Sequence, residues 1–305
     1  MSVFRILAVA LAAALSILTG AAAAASAAGD GQPGAAALRA RFDRMRGNLD
    51  AAHFGRPLAL VSQDEDHVLQ GDIYVLVDQP FQLVRDNLHE APQWCKVMVL
   101  PFNTKKCTAS GTGDPAALNL YIAKRKDAAP DESYRVDFNY HVEALASDFL
   151  RVALKADSGP LGTHDYRILL EATPADATHT VLHLAYSYGY GALGQLAMQA
   201  YLATAGAGKV GFTTVEEGGK PRLVGGMRGV MERNTMRYFL AIETYLTSLS
   251  TPSQGRAERR FEAWFDATER FARQLHEMSR EQYLSMKRRE QHLAGAPSAD
   301  EPQPS

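Results

Sequence analysis

Strong charge of either sign is missing from this chain. Its 305 residues carry 32 Lys+Arg against 34 Asp+Glu, a formal net charge of −2, which gives nucleic acid no reason to be a partner. Cysteine is almost absent, at 2 residues. Neither stands in a CxxC or beside a histidine, so a redox dithiol, a thiol nucleophile or a zinc site finds no support. No HExxH, GxSxG or phosphate-loop spacing occurs. One Gly-x-Gly-x-x-Gly, at residues 189–194, follows a strand-like run. It lacks the parallel βαβ unit and the acidic residue further on, so nucleotide binding is set aside. No convincing internal repeat is visible, and no cofactor or metal is called for.

What the chain does have begins with a targeting segment. Arg5 and the apolar run 6–18 precede alanine-rich sequence with small-x-small sites, the pattern of a signal peptide over residues 1–28, cleaved rather than kept as an anchor. No cysteine follows the run, so a lipid anchor is not indicated. The expected location is periplasmic or secreted. In an oxidising compartment, Cys95 and Cys107, twelve positions apart across an expected turn, most simply form one disulfide.

A Gly/Pro/Ala linker leads to an expected helix over residues 35–52, with Leu38, Phe42, Met45, Leu49 and Ala52 on one face and arginines on the other. Linker and helix fill residues 29–57. Docking on the main domain is expected of this helix, with peripheral membrane contact as the alternative. From residue 58 the period changes to two. Ile73, Val75 and Val77 alternate with Asp72 and Tyr74, and Pro80 opens a helix with Phe81, Val84 and Leu88 buried. Runs at 117–124, 134–142, 149–155, 164–172 and 179–190 are separated by turns, which argues for an antiparallel sheet with one covered face. A glycine-bounded helix at 193–204 and a short strand at 209–216 follow.

The stretch 228–249, RGVMERNTMRYFLAIETYLTSL, reads as a long helix. Val230, Met231, Asn234, Tyr238, Ala241, Ile242, Tyr245 and Leu249 share one face, while Met236 and Leu240 lie opposite and also want cover. Asn234 on an otherwise apolar face needs a partner, from the protein or from a ligand. A second long helix is expected over 251–292, its Phe261, Trp264, Phe265 and Phe271 stripe covering the Met236/Leu240 side. Residues 293–305 form a Pro/Ser/acidic tail expected to be disordered.

The stretch GDIYVLVDQPFQLVRDNL resembles the start of START-like (SRPBCC, polyketide cyclase/lipid-transport) domains, where a strand passes through a Pro-Phe junction into a helix. QWCKVMVLPFNTKKC and GVMERNTMRYFLAIETYL resemble an exported bacterial branch of that superfamily. The resemblance covers roughly residues 58–250. It implies an α+β helix-grip fold: a curved antiparallel sheet wrapped around the long helix, with a hydrophobic cavity between them. It carries no catalytic residue onto this chain. The N-terminal helix and the extra C-terminal helix are departures from it.

Candidate cavity residues are Phe138, Tyr140, Tyr186, Tyr188, Met231, Asn234, Tyr238, Ile242 and Arg237. Tyrosines suit a cavity that must orient an amphipathic ligand, having an apolar body and one polar handle. Arg233 and Arg237 are a like-charge pair one turn apart, to be answered by a protein acid such as Glu232 or by a ligand anion. His141, Glu143 and Asp137, with His183 or His164 nearby, could act as a general base but fall on the face expected to be solvated. The leading expectation is a carrier of a hydrophobic or amphipathic small molecule. A cyclase/dehydratase-type enzyme using the same cavity, or a protein-interaction module, are the alternatives.

Overall fold

Side chains that alternate with period two put every second residue on one face of a strand, and short turns between such runs pair each strand with the next. The computed structural model describes residues 34–111, 115–123, 129–204 and 206–295. Its eight main strands are β1 (Leu58–Glu65), β2 (Val68–Val77), β3 (Thr104–Ser110), β4 (Ala116–Ile122), β5 (Tyr134–Leu145), β6 (Leu150–Ser158), β7 (Thr163–Pro174) and β8 (Thr180–Tyr190). All neighbours are antiparallel, in the order β1-β2-β8-β7-β6-β5-β4-β3. Because β2 and β3 stand far apart in that order, the chain crosses between them through two helices, α3 (Phe81–Leu88) and α4 (Ala91–Met98). The pair Cys95–Cys107 is a disulfide with a Cα–Cα distance of 5.2 Å, and it ties α4 to β3.

The sheet grips a helix of 23 residues (Gly226–Ser248), the helix-grip arrangement. Before it come a helix at Ala192–Ala203 and a hairpin of Thr214–Glu217 with Lys220–Leu223. The expected strand over 209–216 is thus mostly loop, and pairing starts only at Thr214. In chain order these elements are α5, β9, β10 and α6. Leu69, Ile73 and Val75 of β2, Leu182 and Leu184 of β8, and Val152 and Leu154 of β6 join Met231 and Ile242 of α6 in one buried core. Each such side chain contributes about 1.5–3 kcal/mol by leaving water.

Gly71 interrupts the apolar face of β2 for a reason of space. A Cβ there would lie 2.3 Å from Thr235 Oγ1 and 3.1 Å from Met231 Cγ, so helix and strand approach closely only because the side chain is absent. Gly71→Ala should therefore lower the stability of the fold by about 1–3 kcal/mol through overpacking. A denaturant melt would measure it; an unchanged midpoint would mean that α6 shifts freely on the sheet.

Both terminal helical regions are shorter and more broken than the periodicity predicts. The expected helix 35–52 is α1 (Ala35–Arg44), a 3-10 turn that includes Gly47, and α2 (Ala51–Phe54) capped by Asp50. The expected long helix 251–292 is α7 (Arg256–Glu269), α8 (Ala272–Leu275) and α9 (Arg280–Gly295). A straight helix of that length would run about 63 Å, past the edge of the domain. Extended backbone at His276 instead turns the chain back, so that Tyr283 packs against Trp264 and Phe265. Met236 and Leu240 are buried, and the Trp264 indole donates to the Arg237 carbonyl at 3.4 Å. Leu38 of α1 packs with Phe149 and Val181 on the other side of the sheet. No helix of the described residues is long and apolar enough to cross a membrane. The signal segment, most of the linker, and the tail beyond residue 295 lie outside the described residues.

Candidate functional site

Only part of α6 sits tightly on the sheet. Along β8 the inward side chains are Leu182, Leu184, Tyr186 and Tyr188; Tyr186 and Tyr188 border a cavity of about 860 Å³. From α6 it receives Val230, Arg233, Asn234, Arg237 and Tyr238, from α5 Gly194, Ala197, Met198 and Tyr201. Both sets have the 3–4 spacing of a single helical face. Leu120, Ile122, Val136 and Phe138 of β4 and β5 form an apolar wall, and Lys209, His276 and Glu277 stand at the rim.

The tyrosines in this space form a connected group. Tyr166 stacks on Tyr188 with ring centroids 5.2 Å apart, and Tyr186 meets Tyr238 edge-on, also at 5.2 Å. The Tyr166 hydroxyl is hydrogen-bonded to Thr163 Oγ1 at 2.7 Å. Those of Tyr186, Tyr188 and Tyr238 make no hydrogen bond with the described residues, nor are they sealed away from the cavity. Burial pushes all three phenols well above their ordinary value. They stay protonated near neutrality, suited to donating a hydrogen bond to a ligand and unsuited to removing a proton.

Phe138, Tyr186, Tyr188, Asn234, Arg237 and Tyr238 are brought together on this wall. Tyr140, Met231 and Ile242 are not among its lining residues. Tyr140 is further along β5, its hydroxyl donating to the Leu88 carbonyl at 3.2 Å beside Trp94. Met231 lies against β2 at Gly71, and Ile242 belongs to the turns of α6 that pack solidly. Tyr166 shares the inward face of β7 with Ile168 and Leu170, so the signal that could have found it is the period-two alternation of that strand. Residues of α5 escape sequence reasoning because Gly194, Ala197 and Met198 at helical spacing give no polar signal.

The polar groups of the outer face behave differently from the expectation of a solvated surface. Asp137 does pair with Arg135 in the open, and Glu143 with Arg151 and Lys155. His183 instead lies buried between Asp72 and Glu171, at 2.8 Å from each, with Tyr74 stacked on its ring. Arg41 of α1 and Arg151 of β6 both reach Glu171. Burial pushes the Glu171 carboxyl up, but bonds and charge from His183 and Arg41 outweigh it and hold it at about 2. Burial lowers His183, and its bonds to Asp72 and Glu171 outweigh that and raise it. This histidine–carboxylate group is on the side of the sheet away from the cavity, beneath α1, where it fastens a helix. A second depression, of about 930 Å³, borders Glu243 and α7. Glu243 there is already paired with Arg56 and Arg270. Among the described residues no cluster of His, Cys, Asp and Glu could hold a metal ion.

No family model matches the chain, and no curated protein does. Solved structures with the same strand-and-helix arrangement do. The Zhui aromatase/cyclase from Streptomyces sp. R1128 is 17% identical, with 64% of this chain and 96% of that one covered at a TM-score of 0.37. A START superfamily protein from Mycobacterium smegmatis is 14% identical over 59% and 99%, TM-score 0.36. A protein from Thermus thermophilus is 11% identical over 60% and 99%, TM-score 0.39. Likenesses so distant concern the fold; what those proteins make or hold does not transfer.

Proposed function

We propose that this chain is an exported carrier or sensor that holds one hydrophobic or amphipathic small molecule between the sheet and α6. The observation that carries the reading is the cavity itself: apolar on the β4–β5 side, with tyrosine hydroxyls that have no hydrogen-bond partner among the described residues on the other. Such hydroxyls on an apolar wall suit a ligand that is mostly greasy and bears a few acceptors. The leader-like N-terminus and the Cys95–Cys107 disulfide support export. A cyclase-type reaction would need a base in the same space. The buried histidine–carboxylate group is on the wrong side of the sheet, burial holds the tyrosines protonated, and at the rim His276 is bonded to Glu269 and Glu277 to Arg237 and Lys209, so the carrier reading is preferred.

Binding of the neutral fluorophore N-phenylnaphthylamine tests it, beside mass spectrometry of an organic extract of the purified protein. Ala197→Trp adds bulk from α5 into the space without disturbing the sheet. It should weaken the fluorophore about tenfold or more and leave the circular dichroism spectrum unchanged. Tyr238→Ala should reduce the amount of co-purified amphiphile. Wild-type protein that neither binds the fluorophore nor carries any organic molecule would refute a carrier.

A further inference from the structure

Two arginines one helical turn apart repel each other, and among the described residues only one is answered by an acid. Arg237 donates to Glu277 Oε1 at 2.6 Å and to Asn234 Oδ1 at 3.2 Å, and its guanidinium lies over the Phe102 ring at 5.3 Å. The other oxygen of Glu277 takes Lys209 at 2.6 Å. One carboxylate thus already serves two cations. Glu232, the acid adjacent to Arg233 in sequence, is turned the other way and accepts from Ser62, Phe212 and Thr213.

Arg233 is left over. It is 1% exposed and borders the cavity. Its Nη1 makes one long bond, 3.4 Å, to the Val210 carbonyl, while Nε and Nη2 have no partner among the described residues and no contact with solvent. An arginine does not shed its charge on burial, and an unpaired buried cation is strongly unfavourable. Nε and Nη2 also form the edge of the guanidinium that receives both oxygens of a carboxylate or phosphate.

We infer that the molecule held in the cavity carries an anionic head, a carboxylate or a phosphate, and that Arg233 receives it. The inference rests on the cavity being a binding site, as proposed above. The head group enters beside Asn234 and Arg237, and the flexible guanidinium turns to meet it. The chain of the ligand then runs along Phe138, Val136 and Leu120, with the hydroxyl of Tyr238 free to donate to the same head. A neutral lipid would leave the buried charge unanswered, so selectivity for anions over alcohols of equal length follows.

Displacement of N-phenylnaphthylamine by dodecanoic acid, dodecyl phosphate and dodecanol separates the cases. The acid, the phosphate or both should displace the fluorophore at about tenfold lower concentration than dodecanol, and whichever does so identifies the head. Arg233→Met should abolish that preference, the acid, the phosphate and dodecanol then displacing at similar concentrations. If dodecanol equals both anions on wild type, the head-group inference fails and the cavity reading survives. If the fluorophore does not bind at all, both fail together. A folded Arg233→Met variant that keeps the preference overturns the role of Arg233. Should that variant not fold, the wild-type ranking of the three amphiphiles still decides.

Discussion

Glu171→Gln should destabilise the protein by about 3–5 kcal/mol, the largest effect expected of any isosteric change in this fold. The glutamine fits the space, so the loss isolates charge. Arg41, Arg151 and protonated His183 would then share a buried site with only Asp72 and, for Arg151, Glu143 as the remaining acids. Because Arg41 belongs to α1, the variant should also release that helix from the sheet, seen as faster amide exchange around Leu38. Binding in the cavity, on the other face, should be little changed. The same cluster sets a pH window. Glu171 is depressed to about 2, so its contribution is complete above the ordinary 4.5 and fades as pH falls toward 2. His183 is raised above its ordinary 6.5, so its contribution is complete below 6.5 and fades as pH rises through the folded value. The cluster stabilises most between about pH 4.5 and 6.5. Thermal melts across pH should show an alkaline decline in wild type that is smaller in His183→Gln; equal declines would place the titration elsewhere.

Glu232→Ala should cost a similar amount, about 3–5 kcal/mol, and should also disturb the cavity. This carboxylate is fully buried and accepts from Ser62 Oγ at 2.7 Å, the Phe212 amide at 2.6 Å, and the Thr213 amide and hydroxyl at 3.0 and 2.5 Å. Gly211 makes room for it, since a Cβ there would fall 2.4 Å from Oε2. Removing the carboxylate strands those donors and frees the segment 209–213. Lys209 and the Val210 carbonyl, which hold Glu277 and Arg233 respectively, travel with it. The expected result is therefore a lower melting temperature together with weaker fluorophore binding. A variant that melts early yet binds normally would show that the segment 209–213 anchors the fold alone.

Periodicity made most of the sheet and α6 readable from the sequence, because strands such as β2 and β5 have one apolar and one polar face and α6 continues for 23 residues without a breaker. What α6 does along its length was not readable. Its apolar face is continuous in sequence, yet Met231 and Ile242 meet packed strand while Tyr238 meets space. That difference comes from the relative positions of β8, β5 and α5, which no local pattern records. Asn234 carried a usable signal as a polar residue on an apolar face, and its partner proved to be Arg237. The outer face misled for a related reason. Asp72, Glu171 and His183 lie at strand positions that alternation assigns to solvent, and α1 covers that face, Arg41 reaching Glu171 from 130 positions away. Arg233 was visible only as half of a repelling pair; that it lacks an answering acid depends on where Glu232 and Glu277 are spent.

The buried lysine of α9 gives the sheet an end. β3 is the last strand, and such a strand offers unpaired backbone groups to any other extended chain. Lys287 Nζ donates to the carbonyls of Pro101 at 3.0 Å and Thr104 at 2.8 Å, and Tyr283 caps the Leu100 carbonyl at 2.7 Å. A cation set against this rim makes it a poor template for a ninth strand. The C-terminal helices thereby cover this edge of the sheet as well as the core.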